Sequence, residues 1–250
     1  MPGVTTAVSF HACADRPAAS RAAADLLAER LAADLEHRGS GSLVVSGGTT
    51  PIACFDMLSE AALDWARVTV VPSDERWVPA DDPNSNEGLI QNHLLRNAAA
   101  AARLLPLYRP EVDPDRDPGV DSGVDSGAAP AVIERDLRAL RATAGPFSAV
   151  LLGMGADGHF ASLFPDFAGL SRALDPAVAE RCVLVRTAGS PFLRVSLTLS
   201  ALLQTDQVAL LFFGEEKRAV FERALSGGGN YPVGALLAQT AVPVAAFWAP

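Results

Sequence analysis

Cysteine is scarce in this chain of 250 residues, with only Cys13, Cys54 and Cys182. They are far apart and odd in number, so they offer neither a metal-ligand spacing nor a disulfide framework. Three buried thiols in a reducing compartment are expected. Positive charge is also short: 20 Lys and Arg stand against 29 Asp and Glu, for a formal net charge of −9. A nucleic-acid partner needs a cationic stripe that displaces phosphate counterions, and none is visible, so DNA and RNA are not expected. An anionic small molecule would have to be held by a few local cations against an unfavourable overall field. Long apolar runs are missing as well. None approaches the roughly 20 residues that span a bilayer, and no basic region leads into an apolar one at the start of the sequence. A cytoplasmic protein with no membrane partner is expected.

What remains is an ordinary globular composition, 49% hydrophobic and 20% charged, in a chain long enough to bury a core without a covalent staple. Much of the apolar content is alanine, as in Ala98–Ala102, which favours thin helices lying close to a sheet. Short β-rich runs alternate with helical patterns. Strands are predicted at Ala7–Phe10, Leu43–Val45, Val68–Val71, Leu104–Leu107, Phe147–Leu152, Cys182–Val185, Arg194–Leu199, Val208–Phe213 and Val242–Trp248. Helices are predicted at Ala18–Arg38, Pro51–Ser59, Ser85–Leu95, Ala131–Ala142, Lys217–Leu225 and Val233–Leu237. The first helix would carry Ala22, Leu26, Leu27, Leu31 and Leu35 on one face and stop at Gly39 and Gly41. Repeated βα units predict a three-layer α/β fold with a largely parallel sheet and helices on both faces. Residues 1–250 read as one domain. Pro110–Pro130, rich in Pro, Asp, Gly and Ser and without apolar period, reads as a flexible surface loop within it.

In such sheets ligands bind beyond the carboxyl ends of the strands, and the unusual residues follow strands here. Ser46, Gly47, Gly48 and Thr49 come first, with Thr50 and Pro51 behind them. Their glycines permit close approach of the backbone to a ligand, the Thr pair would cap the next helix, and its free N–H groups would suit a phosphate. A plain turn with a helix cap is an equally good reading. Asp74, Glu75 and Arg76 come next. Arg76 would offer a planar donor fork, with Asp74 or Glu75 orienting it or accepting sugar hydroxyls; an ion-pair cluster at the sheet edge is the bland alternative. The run Asn84–Gly88 would cap the following helix.

The third segment, Gly153-Met154-Gly155-Ala156-Asp157-Gly158-His159, contains a literal G-x-G-x-x-G. A dinucleotide site would need it to open a long helix, yet Pro165 follows within a few residues. Tight turns that aim Asp157 and His159 into a cleft fit better, and such a His suits general-base work on water. A structural His capping the turn is the competing reading. His11, His37 and His93 have no comparable setting. Arg194 and Lys217 complete the candidates; each alone would more often be a solvated charge.

Taken together and in this order, Ser46–Pro51, Asp74–Pro79 with Ser85–Gly88, and Gly153–Pro165 resemble the three signature blocks of the 6-phosphogluconolactonase family. The resemblance runs from the first strand to the last and breaks chiefly at Pro110–Pro130. It implies a modified Rossmann-like fold, no required cofactor, and hydrolysis of a phosphorylated sugar lactone. In that reading His159 activates water and Asp157 orients it. The phosphate meets Gly47–Thr49, Arg76 and Lys217, and Arg194 touches phosphate or sugar. The related glucosamine-6-phosphate deaminases share the first block but continue from the His toward Asn-Glu-Pro, where this chain has Ser162-Leu163-Phe164-Pro165. A non-catalytic sugar-phosphate sensor is a third reading, though such regulators carry a DNA-binding domain that has no room here. Phe160, where the family often has Thr, is a departure that removes no proposed catalytic group.

Overall fold

The structure is a computed structural model that describes residues 8–112 and 128–250. Most of the predicted Pro110–Pro130 loop lies outside those residues. The strands are β1 (Val8–Ala12), β2 (Gly41–Val45), β3 (Val68–Pro72), β4 (Asp74–Arg76), β5 (Arg103–Leu104), β6 (Ala149–Gly153), β7 (Cys182–Val185), β8 (Arg194–Leu197), β9 (Val208–Phe213) and β10 (Val244–Ala249). The helices are α1 (Arg16–His37), α2 (Ile52–Leu58), α3 (Asn86–His93), α4 (Ala128–Ala144), α5 (Leu170–Ala173), α6 (Leu199–Leu202), α7 (Glu215–Leu225) and α8 (Pro232–Ala238).

Seven strands form one parallel sheet in the order β1-β10-β9-β6-β2-β3-β5. Its central strands β6 and β9 carry no polar side chain, because both faces are covered. Along β2, Leu43 and Val45 face one core while Val44 faces the other. Along β9, Ala209 and Leu211 join the first core, and Val208, Leu210 and Phe212 the second. The first core packs under α1, α2 and α3, and the second under α4, α7, α8 and a smaller sheet. Ala19, Ala23 and Ala24 are buried beside Leu27 and Leu31 on α1, so that helix lies close to the sheet. Ala22, Leu26 and Leu35, predicted on the same face, sit at its flank.

The smaller sheet, β4-β8-β7, is antiparallel and was not predicted. Asp74–Arg76 has the charge of a loop, and only its partner strand makes it a strand. Other boundaries also moved. The predicted Arg194–Leu199 strand ends at Leu197, because Thr198 caps α6 through its hydroxyl to the Ala201 N–H. The predicted Leu104–Leu107 strand stops at Leu104, and α4 begins three residues before Ala131. Of the thiols, Cys54 and Cys182 are buried, while Cys13 is partly exposed; all three are free.

Candidate active site

β2 and β6 are neighbours in the sheet, but the chain leaves them in opposite directions, β2 toward β3 and β6 toward β9. That reversal opens a crevice at the carboxyl ends of the strands. A cleft of about 260 Å³ lies there. Ser46–Thr50, Asp74, Arg76, Gly153–Gly155, His159, Arg194 and Lys217 all line it. Every proposed site residue except Asp157 therefore reaches one cavity, and Asp157 reaches it through His159.

The β6 loop sets the histidine. His159 Nδ1 lies 2.5 Å from Asp157 Oδ1, and the same oxygen accepts the His159 backbone N–H at 3.2 Å. Nδ1 thus carries the proton, and Nε2, without a partner among the described residues, is the nitrogen left for the cleft. The backbone closes the turn through Gly155 N–H to the His159 carbonyl. A Cβ on Gly155 would lie 2.3 Å from His159 Nδ1 and 2.5 Å from Asp157 Oδ1, so the glycine makes the room in which the pair meets. His93 also finds an acid, Asp56 at 3.0 Å, but Arg96 shares that carboxylate at the surface, away from the cleft.

The β2 loop supplies amides. Among the described residues nothing accepts the backbone N–H of Gly47, Gly48, Thr49 or Thr50. Ser46 is buried and its hydroxyl has no partner among the described residues. The expectation that Thr49 and Thr50 cap the following helix fails: α2 starts behind Pro51 with no side-chain cap. The threonines stay in the cleft wall instead.

Alternation along β4 sorts the three charged residues. Asp74 and Arg76 face the cleft, and Glu75 faces away, fully buried. Glu75 accepts the N–H groups of Arg76, Asn86 and Glu87 and the Ser85 hydroxyl. Burial pushes its carboxyl up, and the three backbone donors pull it back. It anchors the start of α3 and holds Arg76 by its backbone N–H; among the described residues no hydrogen bond joins the Arg76 guanidinium to Glu75 or Asp74. Arg76 is held by the Asn84 carbonyl at 2.7 Å, and its Nε has no partner among the described residues. Asp74 accepts the hydroxyls of Ser73 at 2.8 Å and Ser162 at 2.5 Å.

Arg76 pairs across the small sheet with Arg194. Like charges directly opposite each other destabilise a sheet, so the pair makes sense only beside an anion. Asp74 supplies part of that charge. Burial and Arg76 both hold the Arg194 guanidinium below its usual range, against the pull of Asp74 and Glu75. Lys217, in the first turn of α7, lines the same cleft. Burial holds its amine below the usual lysine range, while Glu216 and Asp157 act the other way. It has no hydrogen bond or ion pair among the described residues. The two cations read as isolated are thus half-buried walls of one site.

One wall residue, Asn86, and one fully buried residue behind the wall, Ser162, escaped the sequence reading. Asn86, taken as part of a cap, donates to the Asp74 carbonyl and presses on Gly47, where a Cβ would fall 1.8 Å from its Oδ1. Ser162 ties Asp74 to Arg194, whose Nη1 reaches its hydroxyl at 3.4 Å. Both contacts join segments distant in sequence, so no local pattern announces them.

Among the described residues no cluster of His, Cys, Asp and Glu is arranged to hold a metal ion, and no helix is long and apolar enough to cross a membrane. Residues 14–246 match the family model for glucosamine-6-phosphate isomerases/6-phosphogluconolactonase. A 6-phosphogluconolactonase from Mesorhizobium japonicum is 41% identical over 97% of this chain and 95% of its own. One from Rhizobium meliloti is 36% identical over 97% and 99%. The crystal structure of a 6-phosphogluconolactonase from Shewanella baltica superposes with a TM-score of 0.84 at 34% identity, covering 99% of this chain and 100% of that one. With its fold, its strand-end cleft and these relatives in agreement, the chain belongs to the family of glucosamine-6-phosphate isomerases and 6-phosphogluconolactonases.

Proposed function

We propose that this protein hydrolyses 6-phosphoglucono-δ-lactone to 6-phosphogluconate, the lactone step of the oxidative pentose phosphate pathway. The observation that carries the reading is a histidine whose Nδ1 is fixed by Asp157 and whose Nε2 is left for a cleft otherwise walled by cations and bare amides. A general base needs its free nitrogen within reach of water, and its other nitrogen held in one tautomer. His159 takes the proton from water as the water attacks the lactone carbonyl. It then returns the proton to the ring oxygen as the C–O bond breaks. The phosphate lies against the Gly47–Thr49 amides with Arg76 and Lys217, and Arg194 contacts the phosphate or the sugar. Ser46, Gly48 and Asp74 complete the binding wall, with Asp74 accepting sugar hydroxyls.

The deaminase reading is weaker here. Its sequence pattern places a carboxylate beside the histidine, whereas the Phe164 ring lies there, with centroids 4.3 Å apart. A turnover assay separates the readings. 6-Phosphoglucono-δ-lactone, unphosphorylated gluconolactone and glucosamine 6-phosphate are compared, with spontaneous lactone hydrolysis subtracted. Each charge-assisted contact to phosphate is worth about 1.5–3 kcal/mol, so the unphosphorylated lactone should be poorer by ~10²-fold or more in kcat/KM. Equal efficiency on both lactones would refute the phosphate site. Release of ammonia from glucosamine 6-phosphate with no lactone hydrolysis would refute the lactonase.

A further inference from the structure

Phe164 touches two functional groups with one ring. Its centroid lies 4.3 Å from that of the His159 imidazole, with the planes tilted by 40°. The guanidinium carbon of Arg194 lies 5.2 Å from the same centroid. The chain is bent to achieve this. Ala161 has φ of 48°, in the left-handed region that a residue with a Cβ rarely adopts, and Phe160 and Leu163 bridge across the bend. The reversal after His159 returns Phe164 onto the ring it has just left. Strain of this kind persists where the surroundings enforce it. The far side of Phe164 borders a second cavity of about 530 Å³, which Asp157 and Arg194 also reach but His159 does not line.

Taking the lactonase reading as given, we propose that Phe164 is a positioning residue that couples the water-activating base to the substrate-binding cation. Its ring packs against the imidazole that Asp157 holds through Nδ1. Its π-face seats Arg194, whose side chain hydrogen-bonds, among the described residues, to the Ser190 hydroxyl at 3.3 Å and the Ser162 hydroxyl at 3.4 Å. Both hydroxyls are neutral and Asp74 and Glu75 act on the cation through space, so the aromatic face is the surface on which the guanidinium itself rests. Movement of one group is thereby felt by the other, although they come from different sheets of the fold.

The test changes the electrons of the ring and leaves its shape nearly unchanged. Phenylalanine at 164 is replaced by 4-fluoro-, 3,5-difluoro- and pentafluorophenylalanine, which progressively empty the π-face, and each protein is assayed on 6-phosphoglucono-δ-lactone. KM should climb through the series, reaching about fivefold or more with the pentafluoro ring. In an Arg194→Gln background the same series should leave KM flat, because the cation is gone. Phe164→Leu, which removes the face altogether, should raise KM and also lower kcat about tenfold as the imidazole loosens, and Phe164→Tyr should restore both. A flat series in the Arg194 enzyme overturns the proposal, as does a series whose effect is unchanged by Arg194→Gln. Loss of thermal stability in Phe164→Leu with normal kinetics would make the ring structural only and overturns it too. If the unsubstituted protein does not hydrolyse the lactone, the functional reading fails first, independently of Phe164.

Discussion

Asp157 accepts both the ring and the backbone of His159 through a single oxygen, so loop and imidazole are oriented as one body. This makes His159→Asn an informative change, because asparagine keeps a polar group for the turn and removes the base. Turnover should fall by about 10²–10⁴-fold, with 6-phosphogluconate still bound when measured by calorimetry. Near-normal turnover would leave His159 a turn residue. Lys217 permits a sharper experiment, for it is the sole lysine in the sequence. Its amine is held below the usual range mainly by burial, and a phosphate dianion binds the protonated form. Affinity for 6-phosphogluconate should therefore be full below that amine's ionisation and decline as pH rises through it. Lys217→Arg should remove the alkaline decline. An amine-reactive phosphorylated aldehyde should label Lys217, and product should protect it; labelling indifferent to product would place the phosphate elsewhere.

At the scale of elements, the turn after β6 depends on one missing side chain. Gly155→Ala places a methyl carbon within 2.5 Å of both members of the His159–Asp157 pair. The atoms it meets are side-chain ends and not backbone, so the melting temperature should move little while kcat drops tenfold or more; unchanged kcat would mean the pair is not needed at this spacing. The glycine pattern around Asp157 and His159 was readable in the sequence because its contacts are local. So were the central strands, whose unbroken apolar runs record burial on both faces. β4 was not readable. Asp74, Glu75 and Arg76 look like a loop, and their alternation acquires meaning only opposite Ser196, Val195 and Arg194 of β8. The site's charge logic followed the same divide. Arg76 and Arg194 were each visible as candidates, but their opposition, and the Ser162 link to Asp74, arise from chain segments that no local pattern connects.

Across the whole molecule, the cleft draws on β2, β4, β6, β8 and α7, from Ser46 to Lys217. No short fragment contains it. The segment 113–127 lies outside the described residues, and its composition gives it no apolar face to bury. Replacing it with a short Gly/Ser linker should keep kcat/KM within about twofold, since loop length changes closure entropy only weakly. A large loss in a folded replacement would give the segment a part in substrate entry or in self-association.

The opposed guanidinium groups of Arg76 and Arg194 reach further than catalysis. A protein that holds two like charges side by side is incompletely neutralised until an anion arrives, and the phosphorylated ligand is then a component of its folding equilibrium. At a hundredfold excess over Kd, a ligand that binds only the folded state adds about 2.7 kcal/mol to stability. The lifetime of the enzyme in a cell would then follow the supply of its own substrate and product, with idle molecules unfolding and being degraded before occupied ones.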